Sequence, residues 1–344
     1  MKKILFATTA LVATASVAAA DVSFSGYGRF GAMTTSDAPG ADGIMNTADD
    51  TGSVSGIYSR IRLQIDMTTE ADNGLTFGAR LRAQADSLPR EVGNTGGAPT
   101  FNAPRFWAST GGFTVSVGNI VGAIEAMPGT YANSQSSGTG LSGLGFLDLV
   151  PNVNGLGTWD SYSSKGQGAA TQNGVEIMYS AGAFTGHISY SNGVRTFNGV
   201  TSTGNEARLA AYVAYEFNDW TVAAGINEGD IDEESFYMLT VGGKVGNVDL
   251  SLGYAHRDES DDDRITLRAG ADVGAATRVY GYVTKSDNVI NSDSTGAFAS
   301  IASEDMSYGI GVSHNLGGGA SLEAGVVRDY NEETRADMGI RFNF

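Results

Sequence analysis

The stretch YSRIRLQIDM, Tyr58 to Met67, places Ile61, Leu63, Ile65 and Met67 on one set of alternate positions and Arg60, Arg62, Gln64 and Asp66 on the other. Successive side chains of a β-strand point to opposite faces, so this segment predicts a strand with one oily side and one charged side. The same period of two recurs along the chain. LTFGARLRAQ sets Leu75, Phe77, Ala79 and Leu81 against Arg80, Arg82 and Gln84. GVEIMYS, ARLAAYVAYEF, NVDLSLGYAHR and RITLRAGADV repeat the pattern, and TRADMGIRFNF carries it to Phe344. In RVYGYVT the phase stays open, because Val279 or Tyr280 can start the outward row.

The pattern predicts sixteen strands, near 22–31, 57–69, 75–85, 104–110, 113–119, 174–181, 184–192, 206–217, 220–227, 236–245, 248–257, 263–273, 276–286, 305–314, 320–330 and 334–344. Their connections alternate. Short ones such as TEADNG, AGA and NLGGG carry the Gly, Asn and Asp of tight hairpin turns. Most of the others are longer, and 120–173 is the longest. All six prolines fall in the first three long connections or at a strand's start, so none removes a ladder hydrogen bond inside a strand. No short repeat of fixed motif appears, which argues against a propeller or β-helix.

A soluble two-sheet sandwich also accounts for alternation. Three features favour a barrel in a membrane. The strands approach the about 9–11 residues that a tilted membrane strand needs. Aromatic residues gather at strand ends beside the short turns, as Tyr179, Phe184, Phe217, Trp220 and Phe344 do. The strand count is even, and tight turns segregate from long loops. Lipid offers no hydrogen-bond partners, so an open sheet edge is untenable and the first strand must pair with the last. Sixteen strands make a cylinder too wide for side chains to fill, which predicts a water-filled interior. The apolar row then faces lipid and the charged row faces water. Cysteine is absent, so closure of the sheet replaces disulfides.

MKKILFATTALVATASVAAA has two lysines, a short apolar run and a small-residue end, which predicts a signal peptide over 1–20 and a barrel over 21–344. Removing Lys2 and Lys3 takes the net charge from −17 to −19. So acidic a surface excludes nucleic acid as a partner, since that needs a basic footprint.

DVSFSGYGRFG after the leader, GGFTVSVGN before the longest loop and the ending GIRFNF together resemble the Gram-negative general porins, most of all the alphaproteobacterial type. The resemblance covers essentially all of 21–344. It implies an all-β, 16-stranded antiparallel transmembrane barrel with an inward-folded third loop. It further implies a homotrimer in the outer membrane, among lipid and lipopolysaccharide, that passes ions and small hydrophilic solutes. Phe344 matches the family's terminal aromatic, which the barrel-assembly machinery recognises. The long loop reads NIVGAIEAMPGTYANSQSSGTG and lacks the Pro-Glu-Phe-Gly-Gly element of enteric-type porins.

Arg29, Arg60, Arg62, Arg80 and Arg82 all fall on the inward row of the first three strands. Like-facing residues of paired strands stand about 5 Å apart. Five guanidinium groups therefore line one wall, tolerable in water and ruinous in a dry core. Glu125 is the first choice for the acid opposite, followed by Asp148 and Asp160. The bland reading ties the arginines to Asp66 and Glu70 for stability alone.

The acidic stretches 37–50, 230–234 and 258–263 read first as a solvated rim. Loosely bound Ca2+ linking them to lipopolysaccharide phosphate is the sharper variant, although none has EF-hand spacing. GTGLSG, Gly138 to Gly143, lacks a strand–helix context and reads as a flexible loop rather than a nucleotide site. His187, His256 and His314 lie on separate strands without metal spacing. His187 and Ser189 share one strand, poorly placed for a hydrolytic relay. The expectation is a channel and not an enzyme. A solute-specific channel on the same barrel is the second reading, with Tyr27 and Tyr212 too few for an aromatic ladder.

Overall fold

The computed structural model describes residues 21–36, 52–87, 100–130, 139–143, 149, 173–193, 196–197, 200–201, 206–229, 235–258, 261–287, 290–292, 298–300, 305–330 and 332–344. The proposed leader, 1–20, lies outside them. Sixteen antiparallel strands follow one another around a closed sheet. They are Asp21–Thr35 (β1), Val54–Glu70 (β2), Thr76–Ser87 (β3), Arg105–Thr110 (β4), Phe113–Gly118 (β5), Asn173–Ala181 (β6), Phe184–Gly193 (β7) and Glu206–Phe217 (β8). The second half comprises Trp220–Gly229 (β9), Phe236–Val245 (β10), Val248–Arg257 (β11), Asp262–Asp272 (β12), Thr277–Ser286 (β13), Met306–Gly317 (β14), Ala320–Arg328 (β15) and Thr334–Asn343 (β16). Each pairs with the next, and β1 pairs with β16 over nine positions, from Tyr27 opposite Asn343 to Thr35 opposite Arg335. That seam removes the open edge which lipid forbids.

The first strands run longer than the alternation alone delimits. β1 continues to Thr35, and β2 spans 17 residues, because each supplies the other's ladder to Val54. The predicted strand 104–110 begins at Arg105, and a separate short pairing precedes it. Thr100–Phe101 lies on β3 ahead of β4, with Pro104 between them. Proline has no N–H to give the ladder. The gap is bridged by Asn102, whose Oδ1 accepts from the backbone N–H of Arg82 at 2.7 Å.

The two faces follow the sequence. Phe24, Ile57, Ile310 and Met338 are exposed on the outer row, Ile57 at 72%, while Tyr58 beside it on the inner row is fully buried. The open phase near Val279 is resolved: Tyr280 and Tyr282 are buried on the inner row, and Val279 and Val283 register with outer-row Ala271 and Leu267. The turn end carries two-residue hairpins such as Gly182–Ala183, and Asn218 adopts a left-handed φ of 53° where β8 meets β9.

The chain also has a core within the cylinder. A one-turn helix, Ala123–Ala126 (α1), follows β5. Its Ala123 and Ile124, with Met127 and Leu149, pack on inner-row Ala210, Tyr212, Ala214, Ala223 and Met238. The inner face of β8–β11 is therefore small and apolar where the long connection rests on it, rather than charged throughout.

Candidate functional site

The inner row of β1–β3 brings the five predicted arginines onto one wall. Arg29 faces Arg60 across the β1–β2 ladder, Tyr27 faces Arg62, and Gln64 faces Arg82. Strands rise about 3.3 Å per residue, so these pairs form steps about 7 Å apart along the barrel. Arg62 Nε donates to Gln84 Oε1 at 2.8 Å, and Arg82 Nη2 donates to Gln64 Oε1 at 2.9 Å. Arg80 Nε lies 2.5 Å from Asp66 Oδ1. The tie to Asp66 thus holds one arginine of the five, while Arg62 and Arg82 donate to neutral amides.

Aromatic rings organise the same wall. The guanidinium carbons of Arg29, Arg62 and Arg341 stand 5.7, 5.2 and 4.4 Å from the centre of the Tyr27 ring. Those of Arg29 and Arg60 stand 5.0 and 6.0 Å from that of Tyr58. A ring face attracts a cation without neutralising it. Arg341 joins through the β1–β16 register, opposite Arg29, so barrel closure adds it to the wall.

Glu125 sits on α1, partly exposed, and its charge acts on Arg62 and Arg82. Asp148 and Asp160 lie outside the described residues. Phe344 is half-exposed at the turn end; its backbone N–H and C=O bond with Gly26 at 3.0 and 2.8 Å, and its ring packs 6.3 Å from Phe342.

Three inner-row anchors hold the connection that carries Glu125. At its root, Glu176 on β6 accepts from the backbone N–H of Gly122 at 3.1 Å and pairs with Arg105. His187 Nε2 lies 3.2 Å from the same carboxylate, and Ser189 Oγ accepts from Ala123 N at 2.9 Å. His187 and Ser189 thus serve the loop root together with Glu176. In the middle, Thr240 Oγ1 donates to Pro128 O at 2.7 Å, and Arg268 donates to the carbonyls of Gly129 and Thr130. Further along, Asp337 on β16 accepts from Leu141 N at 2.8 Å, Ser142 N at 2.7 Å and the Ser142 hydroxyl. Arg29 Nη1 donates to Leu141 O at 2.9 Å.

This third anchor corrects the reading of GTGLSG as a flexible loop. Its described residues, 139–143, form a turn clasped to the seam. Gly140 has a φ of 71°, and a Cβ there would stand 2.1 Å from Asp337 Oδ1. Leu141 is fully buried against Gly31 and Gly339, which face each other across β1 and β16. Gly140 serves close approach to the wall and not mobility.

Sequence reasoning missed Glu176, Asp337, Arg268 and Arg341 as site residues. A signal was present: acids isolated on an inner row, and glycines such as Gly31, Gly174, Gly225 and Gly339 on the same row. Each such glycine leaves a pit that a loop side chain fills, Ile120 at Gly174 and Met127 at Gly225 among them.

The porin of Fuscovulum blasticum is 29% identical over 336 residues, spanning 94% of this chain and all of that protein. The porin of Rhodobacter capsulatus is 28% identical over 324 residues, 88% of this chain and 97% of that one. A solved variant of Rh. blastica porin superposes with a TM-score of 0.70 at 28% identity, covering 94% of this chain and all of the other. A closed sixteen-strand sheet with a hydrophobic outer row, a charged inner row and relatives of this kind over its length has one assignment. The family profile for Gram-negative porins matches residues 7–334, and the chain belongs to that family: it is an outer-membrane β-barrel that forms a porin channel.

Proposed function

We propose that the channel passes ions and small hydrophilic solutes by diffusion, and that its narrowest part lies between the arginine wall of β1–β3 and the anchored loop that carries Glu125. The observation that carries this reading is that Arg62 and Arg82 donate to neutral amides on a wall of five arginines, while the loop carrying Glu125 is bonded to the inner row at Glu176, Ser189 and Thr240. Opposed charges across a wet lumen make a transverse field that orients dipolar solutes and separates cation from anion paths. Solved variants of Rh. blastica porin replace a lysine and an arginine two positions apart by alanine, the spacing of Arg60 and Arg62 here. In this reading Asp148 and Asp160 are further acids of the loop.

The protein acts without a cofactor and without enzymatic chemistry. It assembles as a homotrimer in outer-membrane lipid beside lipopolysaccharide, after the leader 1–20 is removed and the assembly machinery has read Phe344. The acidic rim holds Ca2+ loosely at most. A solute-specific channel on this barrel is the second reading, favoured by inner-row Tyr27, Tyr58, Tyr212, Tyr280 and Tyr282.

Single-channel recording of the purified protein in a salt gradient tests the proposal. Stepwise conductance proportional to bulk salt is expected. Steep saturation by one sugar or organic acid would instead favour the specific channel, and absence of steps would refute both.

A further inference from the structure

We propose that the guanidinium groups gathered on Tyr27 form a binding subsite for oxyanions carrying two or more charges, with dianionic inorganic phosphate as the simplest member of the class. The proposal rests on the diffusion-channel reading and names a class of solute for it. Arg29, Arg62 and Arg341 come from three adjacent strands, β1, β2 and β16, the last of which joins the other two only because the barrel closes. All three stand within 5.7 Å of the centre of one phenol ring. Two of them donate to neutral acceptors, Arg29 to Leu141 O and Arg62 to Gln84. Among the described residues, none of the three has a carboxylate within the 4.0 Å of an ion pair.

Other arginines of the inner face are matched to acid. Arg105 pairs with Glu176, Arg80 lies 2.5 Å from Asp66, and Arg278 lies 2.5 Å from Asp249 and 3.4 Å from Asp272. The acids acting at longer range on the Tyr27 cluster are Glu125, toward Arg62, and Asp337, toward Arg29. Asp337 already accepts three hydrogen bonds from Leu141 and Ser142. Positive charge at Tyr27 therefore stays available to a solute.

The chemistry selects the class. A guanidinium fork matches two oxygens of a phosphate or carboxylate with parallel N–H bonds, which a spherical halide cannot accept. A second negative charge on the solute about doubles its Coulomb attraction. Arg62 and Arg341 are only partly buried and supply the contacts; Arg29, buried and bonded to the loop, adds charge behind them.

The test is chloride current through the purified protein in planar bilayers at pH 8, with inorganic phosphate added stepwise. The expected result is a saturable fall in current at millimolar phosphate, with no such fall on adding monovalent nitrate. Arg341→Gln should raise the half-effect concentration roughly ten-fold, as loss of a charged hydrogen bond implies. Arg278→Gln, which alters an acid-paired arginine of the same lumen, should leave it unchanged. A fall that is not saturable, equal effects of nitrate and phosphate, or equal effects of the two variants would each overturn the proposal. The nitrate comparison needs only the unaltered protein, so it decides even if Arg341→Gln fails to fold. A protein that conducts normally without responding to phosphate sinks this subsite alone, whereas one that does not conduct sinks the diffusion reading.

Discussion

The carboxylate of Asp337 accepts a hydrogen bond from the backbone N–H of Leu141 at 2.8 Å, across 196 positions of sequence. One partner lies on the strand that closes the barrel, the other on the connection that carries Glu125. The contact ties closure of the cylinder to placement of the loop in its lumen. Arg29, on the other strand of the seam, holds the carbonyl of the same residue.

Asp337→Asn and Leu141→Ala should both loosen that attachment. Hydrogen bonds to a charged group contribute about 1.5–3 kcal/mol, and emptying a leucine site costs about 2–5 kcal/mol. Single-channel records of either variant should show greater open-channel noise and closure at lower voltage than the parent. Noise and closure identical to the parent in both would remove the attachment from any part in shaping the pore.

Glu176→Gln should destabilise the barrel more than Asp337→Asn does. Glu176 is buried with Arg105, His187 and the Gly122 N–H around it, and its neutralisation leaves Arg105 without its acid. Breaking a buried pair from one side costs about 3–5 kcal/mol. Thermal unfolding in detergent checks this, and an equal or smaller drop than that of Asp337→Asn would contradict it.

Arg62→Ala combined with Arg82→Ala should raise conductance and shift preference toward cations. Two charges facing a lumen at short range act with about 1 kcal/mol in water, enough for roughly a five-fold change in the permeability ratio. The shift should shrink from 0.1 M to 1 M salt, where the screening length falls from about 10 to about 3 Å. Reversal potentials in a KCl gradient are the measurement, and unchanged values would rule out the wall as the selectivity element.

Chelation tests the acidic rim. Exposed Asp258 follows β11, exposed Asp261 precedes β12, and partly exposed Asp263 lies on β12 at the same end. If divalent ions bridge such acids to lipopolysaccharide phosphate, a chelator should lower the dissociation temperature of the assembly in outer-membrane extracts and leave the lipopolysaccharide-free protein unaffected. An assembly indifferent to the chelator would leave the rim as solvated charge.

Alternation alone made most of the barrel legible. Strands such as 206–217, 236–245 and 248–257 begin and end where the period does. A strand between lipid and water has only one way to place Ile61, Leu63, Arg60 and Arg62. The arginine wall was legible for the same reason, since register follows from a tight turn at 71–75. The phase of RVYGYVT was not, because Val279 and Tyr280 are both acceptable on an outer face. Burial of Tyr280 under the loop, with its hydroxyl accepting from Gly140 N at 3.2 Å, decided it.

The loop was the least legible part. GTGLSG has no period and no cap, and its conformation is set by partners more than a hundred positions away. The sequence by itself determined which face of each strand meets lipid, because the membrane accepts only a closed ladder with its apolar row outward. Only the tertiary structure decided that Arg341 joins Arg29 and Arg62 on Tyr27, and that Asp337 and Glu176 spend their charge on the loop rather than on the pore. Those pairings arise at the seam and within the lumen, where contact depends on closing the whole cylinder and no local pattern records the partner.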